Sequence, residues 1–97
     1  MDKNFFVYMM ASQENGTIYT GVTSDLPKRI AEHKQGIYGG FTDKYGVKLL
    51  VWYEQHETAE SAIVREKRIK NWKRNWKIKR IVEMNPDWRD LYDDICH

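Results

Sequence analysis

The chain of 97 residues has a single cysteine, Cys96, and only two prolines. One cysteine excludes an internal disulfide and a thiolate zinc site, and it suits a reducing compartment. No apolar run approaches the roughly 20 residues that a membrane-spanning helix needs, and the amino terminus has no signal-peptide pattern. We therefore expect one cytoplasmic domain over residues 1–97, without membrane contact, that ends in an acidic tail over 85–97.

The net charge of +2 conceals a strong separation of charge along the chain. The segment 64–80 carries nine basic residues and one acid, whereas the segment that begins at Glu83 is mainly acidic. Trp72 and Trp76 are interleaved with the basic residues, which is typical of a surface that follows nucleic-acid phosphates. A solvated helix face that the acidic tail neutralises is the alternative. The cations predicted to bind nucleic acid are Arg65, Arg68, Lys70, Lys73 and Arg74.

Two segments rich in aromatic and β-branched residues flank Asn15-Gly16, which is a strong tight-turn signal, so they predict a β-hairpin. If these two residues form the centre of the turn, Ser12 faces Tyr19, and Tyr8 points to the same side of the sheet as Tyr19. The other face is uniformly apolar and is predicted to be core. The face with the two hydroxyls is a candidate site.

Helix and strand signals alternate after the hairpin and indicate a small α/β sheet covered by helices. A capping residue and an early proline start the first helix, and glycine ends it. The predicted elements are a helix to about Gln35, a glycine-rich loop over 36–46 that could close over a substrate, a strand over 47–54, a helix from near Thr58 through the basic segment, and a shorter helix that ends before Pro86.

Glu66 breaks the pattern of its predicted helix. At 100° per residue it falls in the middle of an apolar sector that includes Ala62, Ile63 and Ile69. A carboxylate in that position is costly unless it meets a cation, a metal ion or good donors. One interpretation is an internal salt bridge, for example to Lys73. The other is a metal ligand, because Mg²⁺ is often held by only one or two carboxylates.

Arg29 and His33 are the second anomaly. They lie four residues apart on one predicted helix, so their side chains project the same way. His33 belongs to an apolar stripe that runs from Leu26 through Ile30 to Ile37. A histidine in such a stripe is commonly a core residue whose ring nitrogens are hydrogen-bonded. The pairing with Arg29, after two tyrosines on one sheet face, favours a functional site.

In this order, these residues resemble the GIY-YIG nuclease superfamily, and in particular its small single-domain group related to the amino-terminal nuclease module of the bacterial excinuclease. The resemblance extends from about Phe5 to Tyr92, and the stretches 16–26 and 65–72 make it specific. The matching residues are Tyr8, Tyr19-Thr20-Gly21, Arg29, His33 and Glu66.

The chain departs from the family pattern at four points, one of which is that an asparagine found well after the glutamate in some members has no clear match, although Asn71 and Asn75 are nearby. The first motif, Phe6-Val7-Tyr8, lacks the glycine of the family, and Thr20 replaces the usual aliphatic residue of the second motif. Val22 stands where some members have a lysine that could help to ionise a tyrosine. No departure removes a hydroxyl or the glycine of the second motif. The departures concern the expected activity more than the expected fold.

The resemblance implies a small three-stranded antiparallel sheet flanked by helices and metal-dependent hydrolysis of a phosphodiester. It assigns Tyr8 as general base, Tyr19 as the group that positions water or shares the proton, and His33 as the onward proton acceptor. Arg29 would bind a phosphate oxygen. The remaining implied roles are those of Glu66, which would hold one Mg²⁺ or Mn²⁺, and Gly21, which allows close approach.

The expected function is that of a metal-dependent endonuclease in DNA repair or recombination, with DNA favoured over RNA. Retention of both tyrosines, the arginine, the histidine and the glutamate favours an enzyme. The alternative is a non-catalytic nucleic-acid binding module that has kept the fold. Because a small nuclease would need help to cut both strands of a duplex, a homodimer or a larger repair complex is left open.

Overall fold

The structure is a computed structural model that describes residues 4–96, so residues 1–3 and His97 of the expected domain lie outside the described range. Its strands form one antiparallel sheet in the order β2-β1-β3, which confirms the predicted fold class. In chain order the elements are β1 (Phe5–Ala11), β2 (Ile18–Thr23), α1 (Leu26–Gln35), α2 (Gly40–Lys44), β3 (Leu49–His56), α3 (Ala59–Lys70), α4 (Arg74–Met84) and α5 (Tyr92–Ile95).

The β1–β2 hairpin has a register that is shifted by two residues from the predicted one. Tyr19 lies opposite Met10 rather than Ser12, because residues 13–16 all belong to the turn. A shift by an even number of residues leaves every side chain on its predicted face, since side chains alternate with a period of two. Tyr8 and Tyr19 therefore share one face of the sheet.

Helices cover both faces of the sheet, so both faces contribute to the core. Helices α3 and α4 pack on the face that carries Val7, whereas α1 and α5 pack on the face that carries Tyr8. The pairing of β1 with β3 shifts between Met9 and Met10, and this bulge turns both Val51 and Trp52 toward α3 and α4. The tyrosine face, expected to be a site, is also a packed layer.

Helix α1 begins and ends where the sequence predicts. The Asp25 side chain caps its amino terminus by accepting a hydrogen bond from the Lys28 N–H at 3.3 Å, and Gly36 ends it with φ of 72°. The apolar stripe is shorter than expected, because Ile37 lies beyond the helix end and is 60% exposed. The glycine-rich segment that follows contains the short helix α2, whose Thr42 is buried.

The acidic carboxy-terminal segment is folded against the domain rather than forming a simple tail. Trp88 and Leu91 are buried, and Asp90 accepts a hydrogen bond from the Leu50 N–H at 3.1 Å. Asp90 also pairs with Lys34 of α1. This carboxylate thus meets α1 and β3, and it does not neutralise the basic helices. Within residues 4–96, no helix has the length and apolar character to cross a membrane.

Candidate active site

Tyr8, Tyr19 and His33 form a cluster between the sheet and α1. The Tyr8 hydroxyl lies 2.9 Å from His33 Nε2 in a buried hydrogen bond. The Tyr19 ring centroid lies 5.4 Å from that of His33 and 6.3 Å from that of Tyr8. Arg29 is one helical turn before His33, so it projects toward the same cluster. The structure therefore brings together the four residues assigned to catalysis.

Gly21 allows Tyr8 to occupy its place in this cluster. The two residues are paired across β1 and β2. A Cβ atom added to Gly21 would stand 2.4 Å from the Tyr8 hydroxyl oxygen and 2.5 Å from the ring carbon that bears it. A side chain at position 21 would therefore collide with the phenol. The glycine of the second motif is needed for space, since its backbone is that of an ordinary strand.

Burial raises the pKa of Tyr8 well above its ordinary value, and the nearby Tyr19 adds to the rise. The Arg29 guanidinium acts in the opposite direction, because a positive charge favours the phenolate, but it does not overcome the burial. Tyr8 is completely inaccessible to solvent. Its hydroxyl is therefore protonated at neutral pH.

His33 is neutral at the same pH. Burial lowers its pKa, and the positive charge of Arg29 lowers it further. Its Nδ1 lies 3.3 Å from the hydroxyl oxygen of Thr42. Protonated Tyr8 donates to Nε2, and the remaining ring proton then lies on Nδ1, facing Thr42. The imidazole is held between the sheet on one side and α2 on the other.

A cavity of about 260 Å³ opens beside this cluster. Tyr19, Arg29 and His33 line it from the sheet and α1. The glycine-rich segment supplies the opposite wall, and its lining residues are Tyr38, Gly39, Phe41 and Thr42. Tyr8 is fully buried and is not among the lining residues, but its hydroxyl is hydrogen-bonded to His33, which is. Of the two phenols, Tyr19 is the one that meets the cavity.

Sequence reasoning missed the aromatic wall of the cavity. The ring centroid of Tyr38 lies 5.1 Å from that of His33, and the Arg29 guanidinium carbon lies 5.4 Å from the Tyr38 centroid. Phe41 approaches Tyr19 with a centroid distance of 6.3 Å. The glycines indicated a loop beside a site, but no periodicity marked which of its side chains would turn inward.

Glu66 lies in the other helical layer. Its neighbours on α3, Ala62 and Ile69, belong to the core on the sheet face opposite the tyrosines. The Glu66 carboxylate pairs with Lys70 Nζ at 2.6 Å, and its side chain is 10% exposed. The predicted partner was Lys73, but Lys70 is one turn along the same helix. Ile63 is 42% exposed, so the apolar sector around Glu66 is narrower than predicted.

Among the residues assigned to the site from the sequence, Glu66 is the one that offers a carboxylate to a divalent metal ion. Within residues 4–96, no group of three or more His, Cys, Asp or Glu side chains is positioned to hold a metal ion. A single carboxylate suits Mg²⁺ when water and substrate phosphate complete its shell. Lys70 is half exposed and on a flexible side chain, so it can leave Glu66 without disturbing the core. The donor set fits a metal bound together with substrate.

The five cations predicted to bind nucleic acid have different surroundings. Arg65 bonds to Glu54, with 3.0 Å from Nε to Oε2, and Lys70 is paired with Glu66. Arg74 donates to the backbone carbonyls of the hairpin turn, at 2.5 and 2.6 Å. Arg68 and Lys73 are exposed. These last two therefore present their charge to solvent most freely, whereas Arg74 has a structural contact.

The fold agrees with the comparisons to known proteins. The model of the GIY-YIG catalytic domain matches residues 4–90, and the chain belongs to the GIY-YIG family. This family is a nuclease superfamily, so membership indicates nuclease activity and a nucleic-acid substrate.

Relatives of similar length resemble this chain over most of its residues. A UPF0213 protein of Staphylococcus saprophyticus is 35% identical over 83 residues, which are 86% of this chain and 99% of the relative. A UPF0213 protein of Staphylococcus aureus strain N315 is 34% identical with the same coverage. The solution NMR structure of a UPF0213 protein from Bacillus halodurans gives a TM-score of 0.50 at 30% identity, with 84% of each chain covered.

Proposed function

We propose that this protein is a metal-dependent endonuclease that hydrolyses phosphodiester bonds of DNA, with a role in repair or recombination. The observation that carries the proposal is the convergence of Tyr8, Tyr19, Arg29 and His33 beside one cavity. Phosphodiester hydrolysis needs an activated water, neutralisation of charge at phosphorus and help for the departing oxygen. The cluster supplies the first two.

Arg29 is the proposed phosphate-binding residue. It lines the cavity, and its guanidinium stays charged at every physiological pH. Two of its N–H groups can bond to two non-bridging oxygens at once, which positions phosphorus as well as neutralising it. The ring of Tyr38, in the glycine-rich segment, contacts the Arg29 guanidinium and helps to hold it in position. A lysine would keep the charge but lose this paired geometry.

Tyr8 and His33 are proposed to move the proton of the attacking water. A buried, protonated phenol is a poor base by itself. It can accept a proton from water if its own proton passes at the same time to His33 Nε2, which lies 2.9 Å away. The neutral state of the imidazole is the state that this transfer requires. The water oxygen then bonds to phosphorus, and the bond from phosphorus to the 3′ oxygen breaks.

Tyr19 is proposed to position the water. It lines the cavity next to His33, and its ring is also close to Tyr8, so a water that it holds can lie next to both the phosphate and the relay. Because Tyr8 is inaccessible in the described structure, water reaches its hydroxyl only when Tyr19 or the wall formed by Tyr38 and Phe41 shifts. Entry of substrate between the two walls is the step proposed to cause that shift.

Glu66 is proposed to hold one Mg²⁺ or Mn²⁺. A divalent ion supplies Lewis-acid stabilisation of the departing oxygen. Within this chain, Glu66 contributes the carboxylate, and Lys70 keeps its charge balanced until substrate arrives. The exposed cations Arg68 and Lys73 are proposed to bind backbone phosphates.

A binding module without catalysis is the second candidate, and one observation favours it. Glu66 already has a cation at 2.6 Å, and its helix α3 packs on the sheet face opposite the tyrosines. If Lys70 stays in place, the domain has charge for nucleic acid, but Glu66 is not free to bind a metal ion. This candidate predicts salt-dependent affinity without metal-stimulated cleavage.

Cleavage of labelled nucleic acid decides between the candidates. Purified protein is incubated with single-stranded, duplex and branched DNA, and with the corresponding RNA, in Mn²⁺, in Mg²⁺ and in EDTA. We expect a product from DNA in Mn²⁺ or Mg²⁺ that is absent in EDTA and in Glu66→Gln and Arg29→Ala. Gel filtration with and without DNA reports whether the active species is a monomer or a dimer.

Lys70→Ala is the matched control for Glu66. It removes the cation from the same ion pair but leaves the carboxylate, so cleavage is expected to survive while that of Glu66→Gln is lost. Equal loss of cleavage in both variants, together with an equal fall in the free energy of unfolding, would show that the ion pair is structural. Nucleic-acid binding with no product under any condition would decide for the binding module.

A further inference from the structure

A second cavity, of about 320 Å³, lies on α4, away from the tyrosine cluster. It is lined by Trp72, Trp76, Lys79, Arg80 and Glu83. Trp72 packs against the core on the sheet face opposite Tyr8 and Tyr19, so this cavity belongs to the other helical layer. None of its lining residues is part of the proposed reaction.

The two tryptophan rings pack against each other edge to face. Their ring centroids are 6.3 Å apart and their planes are inclined by 69°. Trp72 is partly buried and held in place, and the guanidinium carbon of Arg80 lies 5.8 Å from its centroid. Trp76 is 58% exposed, although the other two tryptophans, Trp52 and Trp88, are at most 6% exposed. An apolar side chain of this size gains by stacking against a flat partner.

The charge around this surface defines the partner. Helix α4 carries four basic residues and one acid. The acid, Glu83, lies 3.5 Å from Arg80 and is balanced by it. Lys79 adds a positive charge at the cavity itself. The exposed face of the Trp76 indole, with cations beside it, is complementary to an unpaired base and its flanking phosphates.

We propose that the Trp72–Trp76 cavity binds an unstacked base of single-stranded nucleic acid, with Trp76 as the stacking ring and Lys79 and Arg80 next to the phosphates. The proposal rests on the proposed nucleic-acid substrate and defines its class: the substrate has a single-stranded segment, such as a flap, that reaches the α4 surface while the bond that is cut lies at the tyrosine cluster. Duplex ends, whose bases are already stacked, do not fill the site.

Binding in EDTA separates this inference from catalysis, because cleavage is suppressed. The ligands are a 12-nucleotide oligothymidylate, an abasic strand of the same length and charge, and a blunt duplex. The proteins are the wild type, Trp76→Ala, Trp76→Phe and Val82→Ala. Val82 is the matched control, since it is 41% exposed on the same helix and lies outside the cavity. Affinity is measured by fluorescence anisotropy, and stacking by quenching of tryptophan fluorescence.

We expect the wild type to bind oligothymidylate about tenfold more tightly than the abasic strand. Trp76→Ala should lose that preference and most of the quenching, whereas Trp76→Phe and Val82→Ala should keep the preference. Equal affinity of the wild type for both strands, or an unchanged preference in Trp76→Ala, would overturn the inference. So would a dimer whose interface covers Trp76 when no nucleic acid is present.

The outcomes for the two proposals can be told apart. Metal-dependent cleavage without a preference for the strand that has bases would refute the proposed stacking site and support the proposed nuclease. A preference for oligothymidylate over the abasic strand that depends on Trp76, with no cleavage in any metal ion, would support the stacking site and refute the nuclease.

Discussion

The ring of Tyr8 rests against Gly21, and a single added carbon at position 21 would lie 2.4 Å from the Tyr8 hydroxyl oxygen. This contact sets where the phenol sits, and the phenol in turn holds His33 at 2.9 Å. The glycine of one motif therefore positions the tyrosine of the other. The backbone pairing of β1 and β2 connects them.

Gly21→Ala is expected to destabilise the domain and to abolish cleavage. The methyl group forces Tyr8 out of its rotamer or moves the strands apart, at a cost of about 1–3 kcal/mol as for other overpacked sites. Urea denaturation measures the free energy of unfolding, and cleavage is assayed where the variant remains folded. Gly46→Ala is the control, because its φ is 63° and its surroundings are open. It should cost only about 1–2 kcal/mol of backbone strain and keep its activity.

The tyrosines are expected to differ when each is changed to phenylalanine. Tyr8→Phe leaves His33 Nε2 without its buried donor, so it should lower the free energy of unfolding by about 1–3 kcal/mol and stop the proton relay. Tyr19→Phe removes a hydroxyl that is partly exposed at the cavity, so stability should change little while single-turnover cleavage falls about 10²-fold or more. Undiminished cleavage in Tyr8→Phe would remove the relay from the mechanism.

The shared face of the two tyrosines could be predicted even though the turn was wrong. The predicted turn had two central residues, whereas the observed connection uses residues 13–16. Face depends only on whether the shift is odd or even, and this shift was even. The prediction that Arg29 and His33 project the same way was equally independent of the exact helix bounds, since a helix places residues four apart on one side wherever it begins.

Other features depended on packing that no local pattern encodes. Thr42 and Phe41 reach the site because a glycine-rich segment folds back on α1, and glycines permit many paths. Glu66 stood out as a carboxylate in an apolar sector, but both Lys70 and Lys73 are near it on a helix, and only the structure distinguishes them. The segment predicted to be an acidic tail is packed against the domain, because burial of Trp88 and Leu91 stabilises it more than the charges around them destabilise it.

Acid should destabilise the protein partly through His33. Its pKa is lower in the folded protein than in the unfolded chain, so the unfolded chain binds the proton more readily. The contribution of His33 to stability is therefore complete above the ordinary histidine pKa of about 6.5. It falls as the pH drops below that value toward the lowered pKa of the folded state.

His33→Gln provides the comparison for this pH effect. Urea denaturation at pH 7.5 and pH 5.5 should show a larger loss of stability for the wild type than for the variant. All other titrating groups are shared, so the difference between the two losses belongs to His33. A smaller loss in the wild type would mean that the imidazole is stabilised in its charged form. Cleavage by the wild type should likewise persist below pH 6.5, because the neutral imidazole persists there.

Arg74 is expected to act on stability more than on binding, unlike its neighbour Lys73. Its guanidinium bonds to the carbonyls of Asn15 and Gly16 at 2.5 and 2.6 Å, and so ties α4 to the hairpin turn. Because Arg74 is exposed, screening limits the expected cost of Arg74→Ala to about 1 kcal/mol in urea denaturation.

Lys73→Ala is the matched change, since it removes an exposed cation next to Arg74. It should leave stability within about 0.5 kcal/mol and weaken binding to single-stranded DNA. The slope of log affinity against log salt should fall by about 0.7 for one lost phosphate contact on a single strand. If Arg74→Ala lowers this slope as much as Lys73→Ala and leaves stability unchanged, the contact with the turn is incidental and Arg74 serves nucleic acid directly. The hairpin that carries both tyrosines is anchored at its turn only if stability falls.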